Sequence, residues 1–273
     1  MPIDYCPFLS QVIRHEGKTM SRHHVIISGT GRAGTTFLVQ LLTALKLDTG
    51  FDNPASGISP ESNAGMEIDI RQANAPYIVK SPLLCDNLDE AILGNRIVID
   101  HAIIPMRDLY SAAESRRAVS RKAGFANRPN EVPGGLWNAK VPEEQESILA
   151  RMLHNLFFAI AKHDIPVTLL HFPRLVNEPE YLYKKIGFLL PNVGYDRFLQ
   201  CFREVGRPEL VHDFKANLYA ESSGVREQAL TEQPPMPPLS YISDVVSPAA
   251  AKGALSGLLR RVVRWMGSKG KAA

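Results

Sequence analysis

The chain has 273 residues, 45% of them hydrophobic and 22% charged, with a formal net charge of +3. That length supports one large α/β domain or two small ones with a full core, and the composition excludes a disordered or fibrous chain. The charge is too small to argue for nucleic acid, and it fits a small anionic ligand at least as well.

Residues 1–20 are weakly patterned and are expected to form a short arm. They lack the charged start and apolar run of a secretory leader, so a cytoplasmic protein is expected, its start at Met1 or Met20. Three scattered cysteines, Cys6, Cys85 and Cys201, make neither a disulfide framework nor a metal-ligand spacing, which agrees with a reducing compartment. The β-branched run within His24–Ser28 has the composition of a buried parallel strand. A glycine turn follows, and Leu38, Leu41, Leu42 and Leu45 then recur at helical spacing over Thr35–Lys46. Asp48–Gly65 is rich in Gly, Pro, Asn and Ser and reads as a loop. A short strand is predicted at Tyr77–Val79, stopped by Ser81-Pro82, then a helix over Asn87–Leu93, a strand over Arg96–Met106 and a helix over Asp108–Lys122. Gly124–Pro142 is a loop carrying Trp137. Pro142 opens a helix to about His163, with Glu143, Glu144 and Glu146 in its first turn. Pro166–Phe172 supplies a fourth strand and Glu178–Leu189 another helix.

This alternation predicts an α/β fold, a central parallel sheet flanked by helices on both faces. Residues 1–232 then form one domain, and the four prolines of Gln233–Pro238 mark a linker over 233–246. Residues 247–273 form a tail in which Leu255, Leu258, Leu259, Val262, Val263 and Met266 share a helical face, with Arg260, Arg261, Arg264 and Lys269 supplying charge. Peripheral contact with the inner face of a membrane is one expectation for such a helix; docking on the domain or on a second subunit is the other, and the oligomeric state stays open.

The turn Gly29-Thr30-Gly31-Arg32-Ala33-Gly34-Thr35-Thr36 joins the first strand to the first helix, the arrangement that aims free backbone N–H groups at an anion. It satisfies both the dinucleotide fingerprint and the P-loop frame, with Thr35 where the usual lysine stands. The dinucleotide reading needs a second strand directly after the helix, and Leu47–Pro54 contains no β-branched run. An ATPase uses its lysine and Mg²⁺ to neutralise the terminal phosphates. A sulfuryl group carries less charge, and backbone amides, hydroxyls and Arg32 suffice for it. Farther along, Arg107 ends a strand and Ser115 stands eight residues on, about two helical turns along the next helix. Together they offer a guanidinium fork and a hydroxyl to a phosphate.

With these elements in order, the chain resembles the sulfotransferases that use 3′-phosphoadenosine 5′-phosphosulfate (PAPS), bacterial-type and nearest in motifs to the glycan and heparan branch, whose fold is P-loop NTPase-like. The resemblance spans Val25 to Ser120 and, more weakly, His171–Val176. It implies that Gly31, Arg32, Ala33, Gly34, Thr35 and Thr36 bind the 5′-phosphosulfate, that Arg107 and Ser115 bind the 3′-phosphate, and that Phe37 packs on the adenine or in the core. Ile78–Pro82 is similar to a lysine-containing segment of the glycan branch, and Met66–Asp69 to the segment carrying its glutamate base. From this, Glu67 is expected to act as general base, Lys80 to stabilise the leaving group and Arg32 to assist at the sulfuryl oxygens. Lys80 also ends a buried strand, where an unpaired ammonium is costly, so an anionic partner is expected. No metal and no nucleic acid is expected; the acceptor is a hydroxyl, with a glycan or glycolipid as the expectation. The aromatic-rich acceptor motifs of the heparan enzymes are missing near Asp69, and Arg203, Arg207 and Lys215 are only candidates for the family's basic C-terminal loop. Trp137 could meet an acceptor sugar or pack in its loop, and His101 and His154 have no assigned role. The competing functions are a small-molecule kinase using ATP–Mg²⁺ and a nucleotide-binding module without chemistry.

Overall fold

The computed structural model describes residues 21–60, 62–122, 132–212 and 214. Its elements in chain order are β1 (Arg22–Ile27), α1 (Thr35–Ala44), β2 (Ile78–Lys80), α2 (Leu84–Asn95), β3 (Ile97–Met106), α3 (Leu109–Lys122), α4 (Gln145–Lys162), β4 (Val167–His171), α5 (Arg174–Asn177), α6 (Pro179–Ile186) and α7 (Tyr195–Val205). The strands pair in the order β2-β1-β3-β4, all parallel.

Strand side chains alternate between the two faces of a sheet, and here each face feeds a core. Val25, Ile27, Ile78, Ile103 and Leu170 pack with α1, α6 and α7. Ile26, Val79, Ala102 and Ile104 pack with α2, α3 and α4. The expected α/β class is therefore the observed one: a parallel sheet, helices on both faces, and a strand–glycine turn–helix unit at its start.

The predicted elements are present, with shifts at their ends. The helix expected from Asn87 starts at Leu84, because the Ser81-Pro82 turn runs into it and leaves a non-helical Asn87 (φ −130°) as a kink. The helix opened by Pro142 begins as a 3₁₀ turn over Pro142–Glu144 before α4. The one expected to reach Leu189 ends at Ile186 and tightens into a 3₁₀ turn. α5 and α7 go beyond the predicted set. In α7, Phe198, Cys201, Phe202 and Val205 form one buried stripe, the spacing of an amphipathic helix.

Topology places the site. From β1 the chain moves outward to β2, returns past β1 to β3, and continues to β4 on the far side. α1 packs into one core and α3 into the other, so the helices leaving β1 and β3 diverge to opposite faces. A crevice opens at the carboxyl ends of such a strand pair, the place where open α/β sheets bind ligands.

The expected N-terminal arm, the proline-rich linker, the basic tail, Cys6 and Lys215 lie outside the described residues, as does 123–131 of the loop before Trp137. Among the described residues no helix is long and apolar enough to cross a membrane.

Candidate active site

The glycine turn leaves β1 with left-handed backbone at Gly31, Arg32 and Gly34 (φ 67°, 56° and 86°). At Gly34 the left-handed φ favours glycine, and a Cβ would sit 2.9 Å from Leu175 Cδ1, which would have to shift. Gly34 starts α1 and no side chain caps that helix, so its first-turn amides are available to a ligand. Arg32 holds the same strained region without glycine's freedom, at a cost of about 1–2 kcal/mol. Its contacts compensate: Nε donates to Ser115 Oγ at 3.0 Å and Nη1 to the Ser62 carbonyl at 2.6 Å, while its own carbonyl accepts from Arg107 Nη1 at 2.8 Å. One residue thus joins the glycine turn to α3, to the loop at Ser62 and to the end of β3.

Lys80, the last residue of β2, is 4% exposed. Its ammonium donates to Thr36 Oγ1 at 2.9 Å, to Glu67 Oε1 at 2.7 Å and to the Gly65 carbonyl. Glu67 is carried there by main-chain hydrogen bonds on either side, from Met66 N to Gly57 O and from Ile68 N to Lys80 O, both at 3.0 Å. The pair is asymmetric: the lysine side chain is 3% exposed and the glutamate 43%. Burial lowers the Lys80 pKa below the usual lysine value; Glu67 opposes this, and Arg32 adds a smaller lowering. A buried cation therefore sits on the first turn of α1, and a carboxylate beside it opens to solvent.

Arg107 and Ser115 also reach this place. Arg107 ends up 4.7 Å from the Phe172 ring, and its Nη2 donates to the His212 carbonyl at 2.6 Å. Ser115 is buried on α3 with its hydroxyl toward Arg32.

All of these groups line one cleft of about 600 Å³, within the range of small-ligand sites. Of the residues expected at the site, Gly31, Arg32, Gly34, Thr35, Thr36, Phe37, Glu67, Lys80, Arg107 and Ser115 all border it. Ala33 does not: its side chain is fully buried in the fold. Phe37 borders the cleft but is 9% exposed and packs edge-on against Phe202, with ring centroids 5.3 Å apart, in the core beneath α7. Trp137 and Arg207 also line the cleft. Asp69 turns away to pair with Arg71 at 2.8 Å, His101 packs on Phe188, His154 stacks on Phe158, and Arg203 is exposed on α7 outside the lining.

Among the described residues, five cationic side chains, Arg32, Lys80, Arg107, Arg116 and Arg207, border the cleft against two carboxylates, Glu67 and Glu209. The excess is positive, and it draws an anion. Arg116 was missed from sequence. It is 2% exposed, and burial, with Arg32 nearby, lowers its pKa to about 10, so it stays charged at neutral pH. Its signal was its place on the buried stripe of α3, between Ala112 and Val119, where an apolar residue is the norm.

No protein-family model and no curated protein matches the sequence. Among solved structures, a chain described as a sulfotransferase domain from the curacin biosynthetic pathway matches with a TM-score of 0.41 at 14% identity, covering 67% of this chain and 78% of that one. At that level of likeness nothing about function passes from one chain to the other.

Proposed function

We propose that the chain is a sulfotransferase that moves the sulfuryl group of PAPS to an acceptor hydroxyl, with a glycan or glycolipid hydroxyl as the acceptor. The observation that carries this reading is the Thr36–Lys80–Glu67 contact: a buried cation touching the phosphate-type helix start and an open carboxylate together. In-line transfer asks for these two groups. The Glu67 carboxylate takes the proton of the acceptor O–H as that oxygen bonds to sulfur. The bond from sulfur to the bridge oxygen breaks, its electron pair stays on the departing 5′-phosphate, and the Lys80 ammonium stabilises the charge there. The amides of the 31–36 turn and α1 hold the phosphosulfate, and Arg107 with Ser115 serves the 3′-phosphate. The positive excess of the cleft suits a donor that carries phosphate at both ends.

Thermal unfolding tests the donor class. Saturating 3′-phosphoadenosine 5′-phosphate should raise Tm by several degrees, at about 2–4 °C per kcal/mol for a domain of this size, and ATP–Mg²⁺ should not. Stabilisation by ATP–Mg²⁺ alone would turn the reading toward a kinase. Binding without transfer to any hydroxyl acceptor would leave a nucleotide-binding module.

The second site has its own test. Arg107→Ala should weaken 3′-phosphoadenosine 5′-phosphate by roughly 10- to 100-fold, the scale of a charge-assisted fork, and leave 5′-AMP binding nearly unchanged. Isothermal titration with the two nucleotides reads this directly. Equal losses for both would remove Arg107 from 3′-phosphate recognition.

A further inference from the structure

Arg116 is a cation in the protein interior with no carboxylate of the described residues within ion-pair reach, a costly arrangement unless something else supplies the opposite charge. Its guanidinium is spent on main chain instead. Nη2 donates to the Thr30 carbonyl, and Nη1 donates to the Gly135 carbonyl at 2.6 Å. The Trp137 ring lies 5.5 Å from its Cζ, and its Nε has no partner among the described residues. Thr30 lies inside the phosphate turn, so Arg116 grips that turn from the α3 side. The grip is close: a Cβ added to Gly31, at φ 67°, would lie 2.8 Å from Nη2.

The consequence follows from peptide geometry. In a planar trans peptide the C=O and the next N–H point in opposite directions. With the Thr30 carbonyl drawn to Arg116, the Gly31 N–H is turned the other way. Arg116 thus fixes the orientation of the Thr30–Gly31 peptide within the turn.

We propose that Arg116 is a positioning residue for the 5′-phosphosulfate: it fixes the Thr30–Gly31 peptide with its amide presented to the donor, and the donor's charge is the counter-charge that Arg116 lacks among the described residues. This rests on the donor reading above. Arg116 acts on the turn, so its removal weakens every nucleotide that uses the 5′ end, whatever stands at the 3′ position. In that it differs from Arg107.

The experiment compares Arg116→Met and Arg116→Lys with wild type. Arg116→Met keeps the bulk of the side chain and removes a buried unpaired charge, so the ligand-free Tm should hold or rise. Binding of 3′-phosphoadenosine 5′-phosphate and of 5′-AMP should fall by the same factor, roughly 10- to 100-fold. Arg116→Lys keeps the charge but cannot span both carbonyls, and should lie between the two. Wild-type affinity in either variant overturns the proposal, as does a loss confined to the 3′-phosphorylated nucleotide. If Arg116→Met does not fold, Arg116→Lys decides the matter on the same two ligands. If wild type binds ATP–Mg²⁺ and neither of these nucleotides, the donor reading is what has failed; an equal-sized loss of ATP–Mg²⁺ affinity in the variants then still upholds the positioning role, and its absence ends it.

Discussion

Lys80→Met should lower turnover by roughly 10²- to 10³-fold, the scale of one preorganised charge lost from a developing oxyanion, while nucleotide affinity moves less than about tenfold. The side chain it replaces is 3% exposed and fills its space at the end of β2, and methionine keeps that volume. The partner left behind, Glu67, is 43% exposed, so solvent takes up its charge and the fold should persist. What is lost is the ammonium between Thr36 and Glu67, which matters most when the bridge oxygen gains charge. Rates at saturating PAPS, with titration calorimetry of 3′-phosphoadenosine 5′-phosphate, separate the two effects; unchanged turnover removes Lys80 from the chemistry. Wild type carries a matching pH signature. Burial lowers the Lys80 pKa from 10.5, so the cation is lost, and activity falls, at a pH below the ordinary lysine range. Stability has the opposite sign. The folded chain holds fewer protons at this site than the unfolded chain, so this group's contribution to stability rises with pH across that window. Activity falling without unfolding is the expected pattern.

How much of this was legible in the sequence depends on whether a residue's role is local. The strand, the glycine turn and the leucine-spaced helix after it are local patterns, and the structure keeps them as β1, the 29–34 turn and α1. The parallel sheet followed from alternation, but the order β2-β1-β3-β4 did not, since strand order comes from which helix covers which face. Glu67 and Lys80 were named through short segments similar to a known family; their 2.7 Å contact depends on a left-handed Met66 (φ 64°) that no spacing announces. Arg32 was assigned to the sulfuryl oxygens, and the structure places its side chain between Ser115 and Ser62. Side-chain direction from a left-handed residue is a tertiary fact. Arg116 was readable in principle, as a charge on the apolar stripe of a helix, but a basic residue beside Arg117 in a polar helix reads as solvated surface. Arg117 does meet Glu114 and Glu146, and its neighbour does not.

Glu67→Gln is the change that separates a base from a brace. If Glu67 takes the acceptor's proton, the amide cannot, and the plateau rate should fall by roughly 10²- to 10⁴-fold with nucleotide binding near wild type. The amide oxygen can still accept from the Lys80 ammonium, so the 65–68 turn should hold and Tm should change little. A second effect follows from charge alone. Glu67 raises the Lys80 pKa against burial, and without that carboxylate the ammonium is easier to lose. The alkaline fall in activity should therefore start at lower pH in Glu67→Gln than in wild type. The two effects are independent. A lowered plateau with a shifted limb makes Glu67 the base and Lys80 its coupled partner. A shifted limb with an unchanged plateau makes Glu67 only the group that keeps Lys80 charged. The base would then lie elsewhere along the cleft, and the acceptor would approach from a different wall.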